Sequence, residues 1–405
     1  MHVALVLDRL DARRGGVETW TADYARALLN RGHAVTVLAA EFGETERHMG
    51  IEPVELPAMP SKLAFADVAA AAIDRGPAGA GWGGRGSFDV VHDMGVGWRC
   101  DVLHPHGGSR AAANVRNREL LSPLAKPLRA VAERALPRYR DFRRLAAAQF
   151  SGRRGTAGRV VALSARVAND LQRLEGADAG LLAVVPNGVD CARFTPELRA
   201  GHRARTRREL SLGDAEALAL IVAHNLKLKG LPALLRAVKR VREAGVPLKL
   251  AVAGGKPKTW RGAVNKLGLG DAVRLLGPVD DPRPLYAAAD LYAQPTHHDP
   301  CSLVALEALA CGLPVVTTTR NGVGELMTGS TAAGACDSGE VLADTADDAG
   351  LAAALARLYD EDARAAAGVA ARTLAERHPF ARNVTDLLRV YDDVRQNPGG
   401  LRLAA

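Results

Sequence analysis

The sequence is poor in the features that mark several large classes of protein. Its five cysteines (Cys100, Cys191, Cys301, Cys311, Cys336) are scattered, odd in number and never spaced Cys-x-x-Cys. That pattern argues against a structural zinc and for a reducing compartment. No apolar run approaches the roughly 20 residues needed to span a bilayer. The N-terminus enters a strand pattern, Met1-His-Val-Ala-Leu-Val-Leu-Asp8, without a signal-peptide signature, so the expected location is the cytosol. A full Gly-x-Gly-x-x-Gly loop, with an acid ending the next strand, is missing as well. A dinucleotide dehydrogenase is therefore disfavoured.

What is present is an alternation of strands and helices, met twice. A chain of 405 residues suggests two domains of about 200 residues each. Hydrophobic content of 48% against 24% charged residues is that of a soluble globular protein. The net charge of +8 favours acidic partners: sugar nucleotides, nucleic acid or anionic lipid. The pattern predicts a strand over 3–7, a helix over 17–30 closed by Gly32, and a strand over 34–38. Strands over 218–223 and 248–253 with a helix between them repeat this unit. Such βαβ units build parallel sheets with right-handed crossovers.

The most informative stretch runs from Leu291 to Thr318. It predicts a strand over 291–294, a turn through Pro295 and Pro300, a helix from Ser302, and a second strand over 314–318. Gly312 stops the helix and Pro314 keeps it from resuming. Glu307 lies mid-helix among Leu303, Val304, Leu306 and Leu309, where an unpaired carboxylate would cost several kcal/mol, so it needs a hydrogen-bonding partner. The free amides of a helix start form an anion site, here expected over Ser302, Leu303 and Val304. An acid one to two turns further in is placed to accept a ribose diol.

Asp299-x7-Glu307 followed by Ala-Leu-Ala-Cys-Gly-Leu-Pro-Val-Val resembles the Glu-x7-Glu signature of retaining nucleotide-sugar glycosyltransferases of family 4, with the GT-B fold. Other loops match in order. Gly15-Gly16 before Val17-Glu18 resembles the family's first loop, beside the donor diphosphate and acceptor. Pro105-His106-Gly107-Gly108 resembles its active-site His-Gly at a strand's end. Pro186-Asn-Gly-Val-Asp190 resembles its interdomain marker, and Asn321-Gly-Val-Gly-Glu325 its closing loop. Lys229-Gly230 matches its phosphate-gripping Lys; the companion Arg is replaced by His224 or Asn225, and Lys227 is the candidate substitute. Within this region His92 and His104 are expected to pack or hydrogen-bond structurally.

The resemblance implies two Rossmann-like α/β domains with parallel sheets facing a central cleft. The expected boundaries are 1–194 for the acceptor-side domain, 195–213 for a polar, Arg-rich linker, 214–378 for the nucleotide-sugar domain and 397–405 for a tail. A helix over 379–396 is expected to return to the first domain. The implied reaction is transfer of a hexose from a nucleoside-diphosphate sugar, a UDP-sugar by preference, to a glycan or glycolipid hydroxyl with retention. His106, Asp299 and Lys229 are the expected catalytic residues. Gly15, Gly16, Asn225, Lys227, Lys229, Ser302, Leu303, Val304 and Glu307 are the expected donor-binding residues. No Asp-x-Asp pair lies among them, and no metal or other cofactor is expected. A nucleotide-sugar epimerase would need an acid/base pair not found here; an inactive sugar-nucleotide-binding scaffold would fit the missing Arg.

Residues 110–154 carry twelve basic residues against Glu119, Glu133 and Asp141, a balance of +9. Leucines, Tyr139 and Phe142 are interleaved, and Pro123, Pro127 and Pro137 are expected to break the segment into short helices. Such a stretch suits an anionic membrane face. The resemblance is closest to lipopolysaccharide-core glucosyltransferases, which implies phosphorylated lipid acceptors and peripheral contact with the inner face of the cytoplasmic membrane. Nucleic acid is not expected as a partner.

Overall fold

The computed structural model describes residues 1–76, 88–150, 157–213 and 216–397. Residues 77–87, Arg153 and Arg154, and the tail after Asn397 lie outside the described residues. The chain forms two compact units, Met1–Val185 together with Val384 onward, and Pro186–Asn383.

In the first unit the strands are β1 (His2–Val6), β2 (Arg9–Leu10), β3 (Ala34–Ala39), β4 (Glu41–Phe42), β5 (Glu52–Glu55), β6 (Val90–Asp93), β7 (Val102–Leu103), β8 (Arg159–Ala162) and β9 (Leu182–Val184). Seven form one sheet, in the order β5-β3-β1-β6-β7-β8-β9, and every pairing in it is parallel. β2 and β4 form a separate pair. Val3 to Val6 are fully buried, as expected of a strand covered on both faces.

The second unit holds β10 (Leu218–Val222), β11 (Lys249–Ala253), β12 (Val273–Gly277), β13 (Leu291–Ala293), β14 (Val315–Thr318), β15 (Gly334–Cys336) and β16 (Gly339–Leu342). Their order is β12-β11-β10-β13-β14-β16-β15, parallel except for the β15–β16 edge. In both sheets the order reverses beside the first strand, between β1 and β6 and between β10 and β13. The carboxyl ends of strands at such a reversal are where open α/β sheets bind ligands.

Pro186–Asp190 is where the chain passes into the second unit. Val189 pairs with the other crossing segment: its amide donates to His378 O at 3.1 Å, and the Phe380 amide donates to Val189 O at 2.9 Å. A Cβ on Gly188 would stand 2.7 Å from Pro379 O, so only glycine allows this approach.

The segment 195–213, expected as a polar, Arg-rich linker, groups with the second unit and carries a helix, Leu198–Glu209. Three of its arginines, Arg199, Arg203 and Arg207, recur every four residues and so share one face. Arg203 reaches Ala288 O (2.9 Å), Ala289 O (3.0 Å) and Asp290 Oδ1 (2.6 Å), and Arg207 reaches Asp290 Oδ2 (3.2 Å). They cap the C-terminal carbonyls of helix Arg283–Ala288, where cations are favourable. Pro127 does not break the basic segment. It lies in the first turn of helix Ala125–Ala135, where its missing N–H is not needed.

Candidate active site

At the reversal in the second sheet, the loop after β10 is held against the loop after β13. Gly230 has φ of +87°, and a Cβ there would fall 1.9 Å from Pro295 O. With glycine the loops close: the His297 amide donates to Leu228 O at 2.9 Å. This brings Lys229 to Asp299, with Nζ 2.6 Å from Oδ2. Gln294 Nε2 donates to the same oxygen at 2.9 Å, while Gln294 Oε1 accepts from Ser302 Oγ at 3.0 Å. Asp299 is 9% exposed and Gln294 fully buried, so the network is largely dry.

Ser302 caps the helix Leu303–Ala310. Its amide donates to Asn321 Oδ1 at 3.2 Å, and its Oγ accepts from the Ala305 amide at 3.4 Å. The anion site expected over Ser302 to Val304 is therefore narrower. The Ser302 amide is engaged, and the half-buried Leu303 and Val304 supply the amides of the first turn. Glu307 has the partner its position demands: Tyr286 OH donates to Oε2 at 2.8 Å. Lys227, His224 and Asn225 are exposed, and Asn225 Oδ1 accepts from the Leu228 amide at 3.2 Å.

At the reversal in the first sheet lies a cavity of about 270 Å³. Its wall includes Asp8, Glu18, Lys62, Gly95, Gly107 and Arg110. Lys62 pairs with Asp8. Arg110 donates through one terminal nitrogen to Gly95 O, while its other terminal nitrogen, Nη1, is buried without a partner. Beneath the wall, buried Asp93 accepts from the amides of Gly95 (2.7 Å), Val96 (2.7 Å) and Gly97 (2.8 Å). Burial nonetheless pushes its carboxyl up to about 6.

His106 sits between two residues of this wall, Pro105 and Gly107. It is 8% exposed, its ring lies 4.0 Å from that of His104 and 4.4 Å from that of Trp20, and its Nε2 has no partner. Burial pushes it down to about 3, so it is a neutral imidazole at physiological pH. Gly15 and Gly16 open the helix Gly16–Leu29 in the same unit.

The structure thus joins Lys229, Asp299 and Ser302 in one network, through a residue the motifs do not mark. In the sequence Gln294 marks only the end of the strand over 291–294. Tyr286, Lys62 and Asp93 are likewise outside every motif, and Arg110 stands out only as part of the basic segment. The chain's Asp-x-Asp, Asp360-Glu361-Asp362, opens helix Glu361–Glu376, with Asp360 as its cap.

Residues 14–193 match the family model described as Glycosyltransferase Family 4, and residues 217–361 that of Glycosyl transferases group 1. The D-inositol 3-phosphate glycosyltransferase of Thermomonospora curvata is 37% identical over 257 residues, covering 58% of this chain and 57% of that protein. The protein of the same name from Salinispora arenicola is 38% identical over 255 residues, covering 58% and 55%. The chain thus spans little more than half the length of these curated relatives. Among solved structures, WaaG, a glycosyltransferase involved in lipopolysaccharide biosynthesis, superimposes with a TM-score of 0.76 at 21% identity, over 96% of this chain and 99% of that one. An Anabaena protein in complex with UDP-glucose gives 0.68 at 17% identity, over 98% and 100%. Identities this low establish the shared fold.

Proposed function

We propose that the chain, whose two parallel-sheet units share the GT-B fold, is a glycosyltransferase that moves a hexosyl group from a nucleoside-diphosphate sugar to an acceptor hydroxyl with retention of configuration. The observation that carries this reading is the Lys229–Asp299–Gln294–Ser302 network at the sheet reversal of the second unit. A diphosphate there meets the first-turn amides of Leu303 and Val304 and draws the ammonium of Lys229 from Asp299. Asp299 then accepts sugar hydroxyls, and Glu307, held by Tyr286, accepts those of the ribose. The Anabaena complex supports uracil as the base.

The transfer makes two charges to be stabilised. As the anomeric C–O bond to phosphate lengthens, the leaving diphosphate gains negative charge, which Lys229 and the helix terminus offset. Asp299 is held by Lys229 and Gln294, and among the described residues no hydrogen bond joins it to a second carboxylate, so we read the transfer as a front-face attack and not as the double displacement of a carboxylate pair. The acceptor oxygen accordingly attacks on the face the phosphate leaves, and its proton passes to the departing phosphate oxygen. Neutral His106 orients the reacting sugar or the acceptor.

For the acceptor, the cavity of the first unit offers Lys62 and the unpartnered nitrogen of Arg110. These suit a hydroxyl compound that carries phosphate, which agrees with relatives named for D-inositol 3-phosphate. A phosphorylated lipid of the cell envelope shares that chemistry. Helix Ala125–Ala135 supports the lipid case, since it buries none of its residues. Leu124 (86% exposed), Leu128 (73%) and Val131 (62%) share one of its faces, with Lys126 and Arg134 exposed beside them. An apolar stripe flanked by cations fits an anionic bilayer surface.

The test incubates the chain with UDP-, GDP- or ADP-glucose and D-inositol 3-phosphate and reads nucleotide release and the anomeric coupling of the product by NMR. Release of UDP with an axial anomeric linkage is expected. An inverted product, or no nucleotide release from any donor with or without acceptor, overturns the reading.

A further inference from the structure

Tyr286 lies on the short helix Arg283–Ala288 and is fully buried, with the Phe194 ring edge-on to its own at 6.0 Å and the Tyr292 ring at 6.4 Å. Arg203 and Arg207 hold the carbonyls at the end of that helix, so the ring projects from an anchored backbone. Its hydroxyl meets the helix Leu303–Ala310 at two points three residues apart, Glu307 Oε2 at 2.8 Å and Val304 O at 3.1 Å. Glu307 itself is only half-buried. The tyrosine is thus closed off from any ligand, while the carboxylate it touches is not.

The bond between them reads one way only. Burial, and after it the charge of Glu307, raises the Tyr286 hydroxyl well above its ordinary range, so it keeps its hydrogen at physiological pH. A carboxylate can only accept. The hydroxyl has one hydrogen for two acceptors, and Oε2 is both the nearer and the charged one, which makes it the stronger partner. A glutamate side chain has three torsions to settle, and one oxygen held by a buried donor fixes the plane of the carboxylate.

We propose that Tyr286 is a positioning residue that makes the donor site selective for ribonucleotides over 2′-deoxyribonucleotides. The proposal rests on the reading of Glu307 as the acceptor for the ribose hydroxyls. With Oε2 held by Tyr286, the carboxylate stands in one plane before the nucleotide arrives, and the ribose hydroxyls meet acceptors already in place. A 2′-deoxy sugar leaves one of those acceptor positions unmet, and a site built to take a hydroxyl rejects the analogue that lacks it. Released from Tyr286, the carboxylate turns to follow whichever hydroxyl or water is present, and the rejection fades.

Tyr286→Phe deletes the hydroxyl and keeps the ring; Tyr286→Met, also without a donor, covers poor folding of the first. Calorimetry on the full chain measures Kd for UDP, GDP and ADP and for their 2′-deoxy forms. For the nucleotide that binds, the parent is expected to prefer the ribo form roughly 30-fold, the effect of one hydrogen bond to a charged group, and either variant only about threefold. Because the readout is a ratio, a smaller folded fraction lowers both arms alike. A ratio that stays at the parent's value, even where both forms weaken together, marks a ring that only packs and overturns the proposal. If the parent binds no nucleotide, binds the two forms equally, or keeps its full preference in Glu307→Ala, the ribose reading of Glu307 fails and the proposal falls with it.

Discussion

Three neutral histidines in one dry cluster make the stability of the first unit depend steeply on acid. His92 and His106 are held down to about 3, and His104 lies well below its ordinary range; burial is the largest cause for each. A lesser cause for His92 and His104 is repulsion from the neighbouring histidines. In the unfolded chain each titrates near 6.5. Below that pH the unfolded state binds more protons, so their contribution is present above about 6.5 and lost as the pH falls toward 3. Well below 6.5 each group removes about 1.4 kcal/mol per pH unit, and three remove about 4. Asp93 works the other way. Its carboxyl is raised to about 6, so its contribution is full below its unfolded value and lost as the pH rises through 6. It returns about 1.4 kcal/mol per unit on the way down. Buried Asp101 acts with Asp93, and His33 with the histidines. The net slope is therefore about 3 kcal/mol per pH unit between roughly pH 5.5 and 4. Against a typical 5–15 kcal/mol, this unit should unfold near pH 4. Guanidinium titrations at about pH 7.5, 6.5, 5.5 and 5 measure the slope, and His104→Gln should lower it by about 1.4 kcal/mol per unit. Stability that is flat from pH 7 to 5, or a slope unchanged by His104→Gln, refutes the argument.

Three further outcomes are expected. Lys229→Ala should lower kcat by roughly 10²-fold, because the ammonium acts as the diphosphate gains charge; near-normal turnover would remove the proposed phosphate grip. Transfer should persist in excess chelator, since the proposed site would meet the leaving group with Lys229 and a helix terminus; activity lost to chelator and restored by Mg²⁺ would count against this. The chain should sediment with phosphatidylglycerol vesicles and not with phosphatidylcholine, less so at high salt, and Leu128→Asp should weaken the binding. Equal binding to the two lipids would leave helix Ala125–Ala135 as ordinary surface.

The sheet cores and the helix after Ser302 were legible because their signals are local. A strand buried on both faces reads as an apolar run, and Gly312-Leu-Pro314 marks a helix end with φ of +70° at the glycine. Asp299 and Lys229 were legible as separate loop residues. Their bond was not, because it depends on the approach of Gly230 to Pro295 across 65 positions of sequence. Gln294 was hidden for a related reason: a polar residue ending a strand carries no mark of whether it bridges a site or meets water. The arginines of 195–213 looked like a solvated linker, although their spacing of four already placed Arg199, Arg203 and Arg207 on one face. What the spacing lacked was the acceptor, Asp290 and the carbonyls before it.

The first unit takes its last residues from the far end of the chain, and this bears on how the protein is made. Residues 1–185 leave the ribosome long before Tyr391 exists, so the pocket around His92 and Tyr24 stands open while the second unit is synthesised. The second unit, Pro186–Asn383, is contiguous and can close first. Synthesis usually favours the N-terminal unit; here that unit lacks Tyr391, the hydrogen-bond partner of His92, until the final helix has emerged.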